Sequence, residues 1–441
     1  MTVRGRNGML RAAGIVVLVT GCVACVSSSG TNRPTHGRTE TAPPNEAAAT
    51  VPRPSDDEIV DDAFALHLDR FRRAGGSLEL LGRLRKDAYS YFRFVAEPFA
   101  RRVCQAHEDL RWELPSVVLH GDAHLEQFVV TDSTFGLEDF DQSGLGPAVV
   151  DLVRFASSVH VVCSGPQRSC DARRLVQAFL ASYRDALGRP REPNTVPPVV
   201  EKLRRAHPGP SPEAFLQWAD SLTTPLEPEV QQRVRRAWQG FVDLMVESDS
   251  TRPAAFYRIR RLGALQLGVG SALDTKLLVR IEGPSLDPLD DLVLEAKLQR
   301  SFQNVPCVET TPTGGMFRVI YAVVTIGRRV PDVIGWVPIS QQRRHPVHYW
   351  VNSWDPGYRE LEVGHLETAA ELEQVVRDVG LQLGSSVVRG VPDAIAGQFR
   401  QAHLRALELT HGRVVSLSES LAQEILEAWK RFRNRPPPGS S

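Results

Sequence analysis

Three short apolar runs, at 117–119, 128–130 and 135–137, are separated by polar turns and predict three buried strand pieces. Helical periodicity dominates elsewhere. Ile59, Ala63, Leu66 and Phe71 recur at roughly helical spacing near the start of the ordered region. Stretches 152–162, 171–186, 212–219 and 229–244 read as helices, with 189–198 as a Pro-rich loop. The pattern changes at 258–297. There a Gly-bearing turn at 265–271 precedes two alternating runs, 277–282 and 292–297, that predict strands. Runs 317–326, 333–338 and 349–354 extend this strand-rich unit. Helical periodicity returns at 367–388, where Ala370, Leu372, Val375, Val376, Val379 and Leu383 share a face. Two further helices are predicted at 393–411 and 417–432.

Composition sharpens the outline. The 441 residues carry 52 basic and 52 acidic side chains, so no overall positive field points to nucleic acid. Hydrophobic residues make up 42%, enough for a sizeable core. Arg4, Arg6 and Arg11 precede a short apolar run at 12–19 and then Gly21-Cys22, the layout of a secretory signal. The run is too short to span a bilayer. Residues 26–55 are rich in Ser, Thr, Pro, Ala and Gly and read as a tether. Cys163 and Cys170 bracket a turn-rich loop whose spacing suits a disulfide, and two unpaired thiols fit the same pattern. With Cys22 and Cys25 set aside, Cys104 and Cys307 are the other two cysteines, and no Cys-x-x-Cys or Cys/His cluster among the four supports structural zinc.

The candidate chemistry sits at the strand ends. Asp122 follows the first strand and Asp139 the third, so a hairpin-like return would bring two carboxylates to one end of a small sheet. Such a pair suits a divalent metal and proton removal from a hydroxyl. His120-Gly121-Asp122, Gln127, Asp139-Phe140-Asp141 and Gly144 leading to Asp151-Leu152 resemble the catalytic segment of the protein-kinase-like superfamily in its aminoglycoside-phosphotransferase style. Adding His124, Glu126, Phe128, Gly146-Pro147 and Arg154, the stretch is more closely similar to the bacterial domain-of-unknown-function family 2252. Val19-Thr20-Gly21-Cys22 resembles a bacterial lipoprotein lipobox, which implies lipidation at Cys22, anchoring to a bilayer and a place in the cell envelope, at the outer membrane or the periplasmic side.

The resemblance implies an α+β, two-lobed kinase-like fold. Asp122 would be the base and His120 its loop-orienting neighbour in the catalytic turn. Asp139, Asp141 and Gln127 would hold Mg2+, and Asp151 would brace the loop through backbone N–H groups. Gly268, Gly270, Ser271 and Lys297 would hold the phosphates of a nucleotide. Because this Gly-turn and lysine follow the acids, the order implied is circularly permuted. The layout expected is a signal at 1–21, a tether at 22–55, a helical lobe with acid loops at 56–250, a β-rich lobe at 255–355 and returning helices at 360–435.

Two departures open a second reading. Gln127 replaces the usual Asn, and Tyr321 stands where the family shows a glutamate. A phosphotransferase acting on a small molecule or surface component and a catalytically inactive binding module both fit. A metallohydrolase is a third reading, since His120, Asp122, His124, Asp139 and Asp141 include zinc-type ligands. The kinase-like reading places His124 on the outer side of its loop, away from Asp139.

Overall fold

The structure is a computed structural model that describes residues 63–435, apart from 69–70, 72–75, 111–113, 166–169, 189–194, 266–275, 299–304, 310–314 and 340–346. Cys22, the signal and the tether lie outside the described residues, as do Gly268, Gly270 and Ser271. No helix among the described residues is long and apolar enough to cross a membrane.

The chain mixes helix and sheet in an α+β arrangement. It opens with helices α1 (Leu78–Lys86), α2 (Ala88–Phe94) and α3 (Ala96–Leu110). Ser77 and Asp87 cap the first two by accepting from Leu80 N and Ser90 N. Four short strands follow: β1 (Ser116–Leu119), β2 (Phe128–Val130), β3 (Phe135–Leu137) and β4 (Gly144–Pro147). Strands β2 and β3 form the expected hairpin, but β1 pairs with β4, a strand the sequence reading lacks. Helix α4 (Val149–Cys163) is buried on every side from Val149 to Val162. Helices α5 (Ala172–Gly188), α6 (Pro198–Ala206), α7 (Pro212–Ser221) and α8 (Pro228–Ser248) complete the first half.

The second half carries the main sheet. After β5 (Thr223–Thr224) come β6 (Ile259–Leu265), β7 (Lys276–Ile281), β8 (Leu292–Leu298), β9 (Ile334–Ile339) and β10 (Val347–Ser353). They form one antiparallel sheet in the order β5-β6-β7-β8-β10-β9. Period-two alternation gives it two different faces. Leu277, Val279, Ile281, Leu294, Ala296 and Val351 pack against Val234, Trp238 and Phe241 of α8. The stretch read as a helical lobe at 56–250 thus gives strand β5 and its last two helices, α7 and α8, to the sheet. On the opposite face, Leu278 and Val293 meet Phe215 and Leu216 of α7.

Residues 317–326 are not a strand. All but the last, Ile326, lie in helix α9 (Gly315–Thr325). Their β-branched content suits a strand, but burial follows a helical stripe: Val319, Ala322 and Val323 are buried, whereas Phe317 and Val324 are exposed. The predicted pair at 393–411 and 417–432 is one helix, α11 (Asp393–Asn434). Gly412 between them has open space around it and does not break the helix. Strand β11 (Arg359–Glu360) adds to β2, and α10 (Ala369–Ser386) then begins at a capping box of Thr368 and Glu371.

Helix α10 lies flat on α5 through Gly380 and Gly384, whose missing side chains admit the α5 backbone at Phe179 and Tyr183. Gly384→Ala should destabilise the protein by about 1–3 kcal/mol, since its Cβ would overlap Tyr183 O and overpacking outweighs alanine's better helix propensity. Thermal unfolding is the check, and an unchanged or higher melting temperature contradicts this packing.

Two disulfides close the described fold. Cys163–Cys170 forms across its loop, and Cys104–Cys307, 203 residues apart, ties α3 to the segment before α9. The second pairing leaves no trace in sequence spacing.

Candidate functional site

The two acid turns meet because Gly121 has no side chain. It adopts φ +86°, and a Cβ there would overlap the carbonyl oxygen of Gln142. Asp139 itself takes a left-handed φ of 67°, the one such non-glycine among the described residues, and Asp tolerates this better than most residue types.

Asp151, in the first turn of α4, accepts from both backbone amides of the first acid turn. Its Oδ2 lies 2.7 Å from His120 N and its Oδ1 2.9 Å from Gly121 N. Burial pushes its carboxyl up to about 7, with the two amides pulling the other way. Asp151→Asn keeps one acceptor but sets an NH2 against the other amide. The expected cost is about 1–3 kcal/mol, read by chemical denaturation. A variant as stable as the wild type would contradict the brace.

His120 links the two turns. Its Nε2 lies 2.8 Å from Glu138 O, so Nε2–H donates, and its Nδ1 accepts from Asp122 N at 3.3 Å. Burial lowers its pKa to about 4, so the ring is neutral and this tautomer is self-consistent. Both nitrogens are committed to backbone, which makes His120 a positioning residue.

Asp122 is 3% exposed and bonded at Oδ1 by Arg154 Nε at 2.9 Å. The Arg154 guanidinium stacks 3.7 Å above the Phe92 ring and donates to Phe92 O. Burial raises the Asp122 carboxyl while Arg154 opposes that rise. His124 is fully buried, on the side of its loop that faces Tyr89 and Phe92. Its Nδ1 meets Tyr89 OH at 3.3 Å and its Nε2 faces Asp122 Oδ2 at 3.8 Å. Burial holds it well below its ordinary value, with Arg93 and Arg154 adding to that, so this contact is no ion pair. Arg93 spends a nitrogen on Glu126 at 2.9 Å.

The sheet reaches the second turn. Lys297 Nζ lies 2.5 Å from Asp139 Oδ1, although the two are 158 positions apart in the chain. Burial would raise Asp139, but the Lys297 ammonium overrides it and holds the carboxyl well below its usual range. Asp139 and the other nearby acids in turn lift Lys297 despite its burial. Beside this ionised carboxylate, Glu138 is pushed up to about 8 by burial and by Asp139 itself. Asp141, 4% exposed, acts electrostatically on both Lys297 and Arg318. Gln127 is buried in the single helical turn before β2.

Asp122, His120, Asp139, Asp141, Asp151 and Lys297 are therefore gathered around the junction of sheet and helices. The oxygen donors of Asp139 and Asp141 suit Mg2+, which takes one or two carboxylates and fills its shell with water and phosphate. Among the described residues, no group of three or more His, Cys, Asp or Glu is arranged to hold a metal ion. Sequence reading missed Lys276, Glu295, Glu138 and the Arg154–Asp122 bond. Only Arg154 carried a signal, its place in the motif.

No curated protein and no solved structure matches the chain. Over residues 80–204, which hold both acid turns, their brace and Arg154, the chain is similar to the bacterial family described as "Uncharacterized protein conserved in bacteria (DUF2252)".

Proposed function

We propose that this protein is an envelope-anchored, kinase-like phosphotransferase that takes a metal-bound polyphosphate, such as a nucleotide, between the six-stranded sheet and the acid turns. One observation carries the reading: Lys297, on the third long strand of a late sheet, meets Asp139 after an early hairpin. Phosphoryl transfer needs a cation for the phosphates, carboxylates for a metal and a base for the acceptor hydroxyl. Lys297, the pair Asp139 and Asp141, and Asp122 supply these in order, with Gln127 as a further oxygen donor. A bound Mg2+ would offset phosphate charge. Asp139 would then exchange its ammonium partner for the metal, which frees Lys297 for phosphate. The strand order β6-β7-β8, helix α9, then β9 and β10 supports a permuted kinase-like lobe, because the lysine strand precedes the helix. Gly268, Gly270 and Ser271, outside the described residues, would complete the phosphate cradle.

The envelope reading rests on the basic, apolar, Gly21-Cys22 start and is supported by the two disulfides, which persist in oxidising compartments. The acceptor would be a small molecule or surface component.

The Asp122–Arg154 bond favours a second reading, a binding module without turnover, because a base held by a buried guanidinium is poorly placed to take a proton. Calorimetry on the full-length protein with MgATP tests both. Magnesium-dependent binding supports the kinase-like site, and no heat of binding at millimolar nucleotide with folded protein rejects it. Transfer of labelled phosphate then separates enzyme from binding module.

A further inference from the structure

The face of the sheet that carries Lys297 holds a second lysine beside it. Lys276 opens β7 and is the direct cross-strand partner of Lys297 on β8. Directly paired residues of neighbouring strands project to one face with Cβ atoms about 5 Å apart. Both side chains are largely buried, at 7% and 11% exposed. Like charges so placed destabilise a sheet unless something compensates them.

The compensation is specific. Glu295 stands two residues before Lys297 on the same strand and so shares its face. Its Oε1 lies 3.8 Å from Lys276 Nζ. Its Oε2 accepts from Trp354 Nε1 at 2.9 Å, which fixes the carboxylate. Lys297 has Asp139 as its own partner. On its other side, Lys297 is paired across the strands with Trp350, whose ring lies 5.7 Å from Nζ. The row is thus two ammonium groups, two carboxylates and an aromatic wall.

We propose that Lys276 is a second phosphate-binding residue, acting with Lys297 on adjacent phosphates of one chain, with Glu295 as their shared counter-ion. The inference rests on the kinase-like reading above and names the part of the ligand that the sheet holds. With Asp139 and Asp141 holding a metal, a second ammonium beside Lys297 would set positive charge against both of two neighbouring phosphates, and Glu295 would offset the repulsion between the lysines in the ligand-free protein. Glu295 also fills a gap. Tyr321 on α9 cannot serve as a lysine's carboxylate partner, and the sheet supplies one from two residues away instead.

The test is calorimetric titration of full-length protein with MgATP and, separately, with magnesium tripolyphosphate, alongside the ligand-free melting temperature. Lys276→Met should weaken both ligands at least tenfold while the ligand-free protein still unfolds cooperatively, because Glu295 keeps its bond from Trp354 Nε1. Equal affinity for wild type and variant overturns the inference while the kinase-like reading stands. So does a loss for ATP with tripolyphosphate unchanged, which would place Lys276 on the nucleoside. A lowered melting temperature with unchanged affinity would make Lys276 a packing element only. Wild-type protein that binds neither ligand removes both readings. Glu295→Gln keeps the bond from Trp354 but removes a negative charge, so it should tighten binding of metal-free tripolyphosphate several-fold. Unchanged or weaker binding overturns the shared counter-ion, and this arm serves if Lys276→Met does not fold.

Discussion

Asp122→Ala is expected to destabilise the protein by about 3–5 kcal/mol, the cost of stranding a buried charge. Arg154 is 1% exposed, stacked on Phe92, and bonded through Nε to Asp122 and through Nη2 to Phe92 O. An arginine cannot shed its proton to escape such a site. The double variant Asp122→Ala, Arg154→Met should recover much of the loss, because it replaces a stranded ion with an apolar side chain that fills similar space. Denaturant midpoints of the four proteins in that cycle measure the coupling. Additive effects would show that the pair is not what holds Asp122. The result bears on function as well. A dead Asp122 variant is evidence for catalysis only after its folding has been checked, so the cleaner probe of chemistry lies on the other turn.

That probe is Asp139→Asn. It should weaken magnesium-dependent triphosphate binding at least thirtyfold, equivalent to about 2 kcal/mol or more for truncating one member of a buried charge pair. Lys297 would keep a hydrogen-bond acceptor but lose the ionic partner 2.5 Å away. In the ligand-free protein the same pair predicts a flat pH response. Asp139 is depressed, so its contribution is present above the unfolded carboxyl value of about 4 and is lost only in stronger acid. Lys297 is raised, so its contribution is present below about 10.4 and is lost only in stronger base. The pair itself therefore contributes evenly from pH 5 to 9, and the stability gap between wild type and Asp139→Asn should narrow there only because Glu138, which Asp139 helps push up to about 8, ionises in the variant before it does in the wild type. No gap at pH 5 would mean that the ion pair is not formed in solution.

Much of this site was legible because its parts are local. A glycine that must take positive φ, acids just beyond short apolar strands, and a carboxylate two residues into a helix all declare themselves within a few positions. Residues 317–326 show the limit of that logic. A run containing Val319, Ile320, Val323 and Val324 fits a strand and a helix equally until the buried stripe is known. Lys276 shows another limit. It is an unremarkable basic residue until the pairing of β7 with β8 sets it against Lys297. The burial of His124 was not legible for a related reason. Tyr89 and Phe92 arrive from an earlier helix to enclose it, and nothing within its own loop announces them.

The Cys104–Cys307 bond makes the molecule, in covalent terms, a closed ring of 203 steps with two tails. A single protease cut anywhere inside that ring would leave one species on a non-reducing gel and two after reduction. The acid turns and the lysine strands β7 and β8 both lie inside the ring, so a nicked molecule would still hold the two halves of its site on one tether.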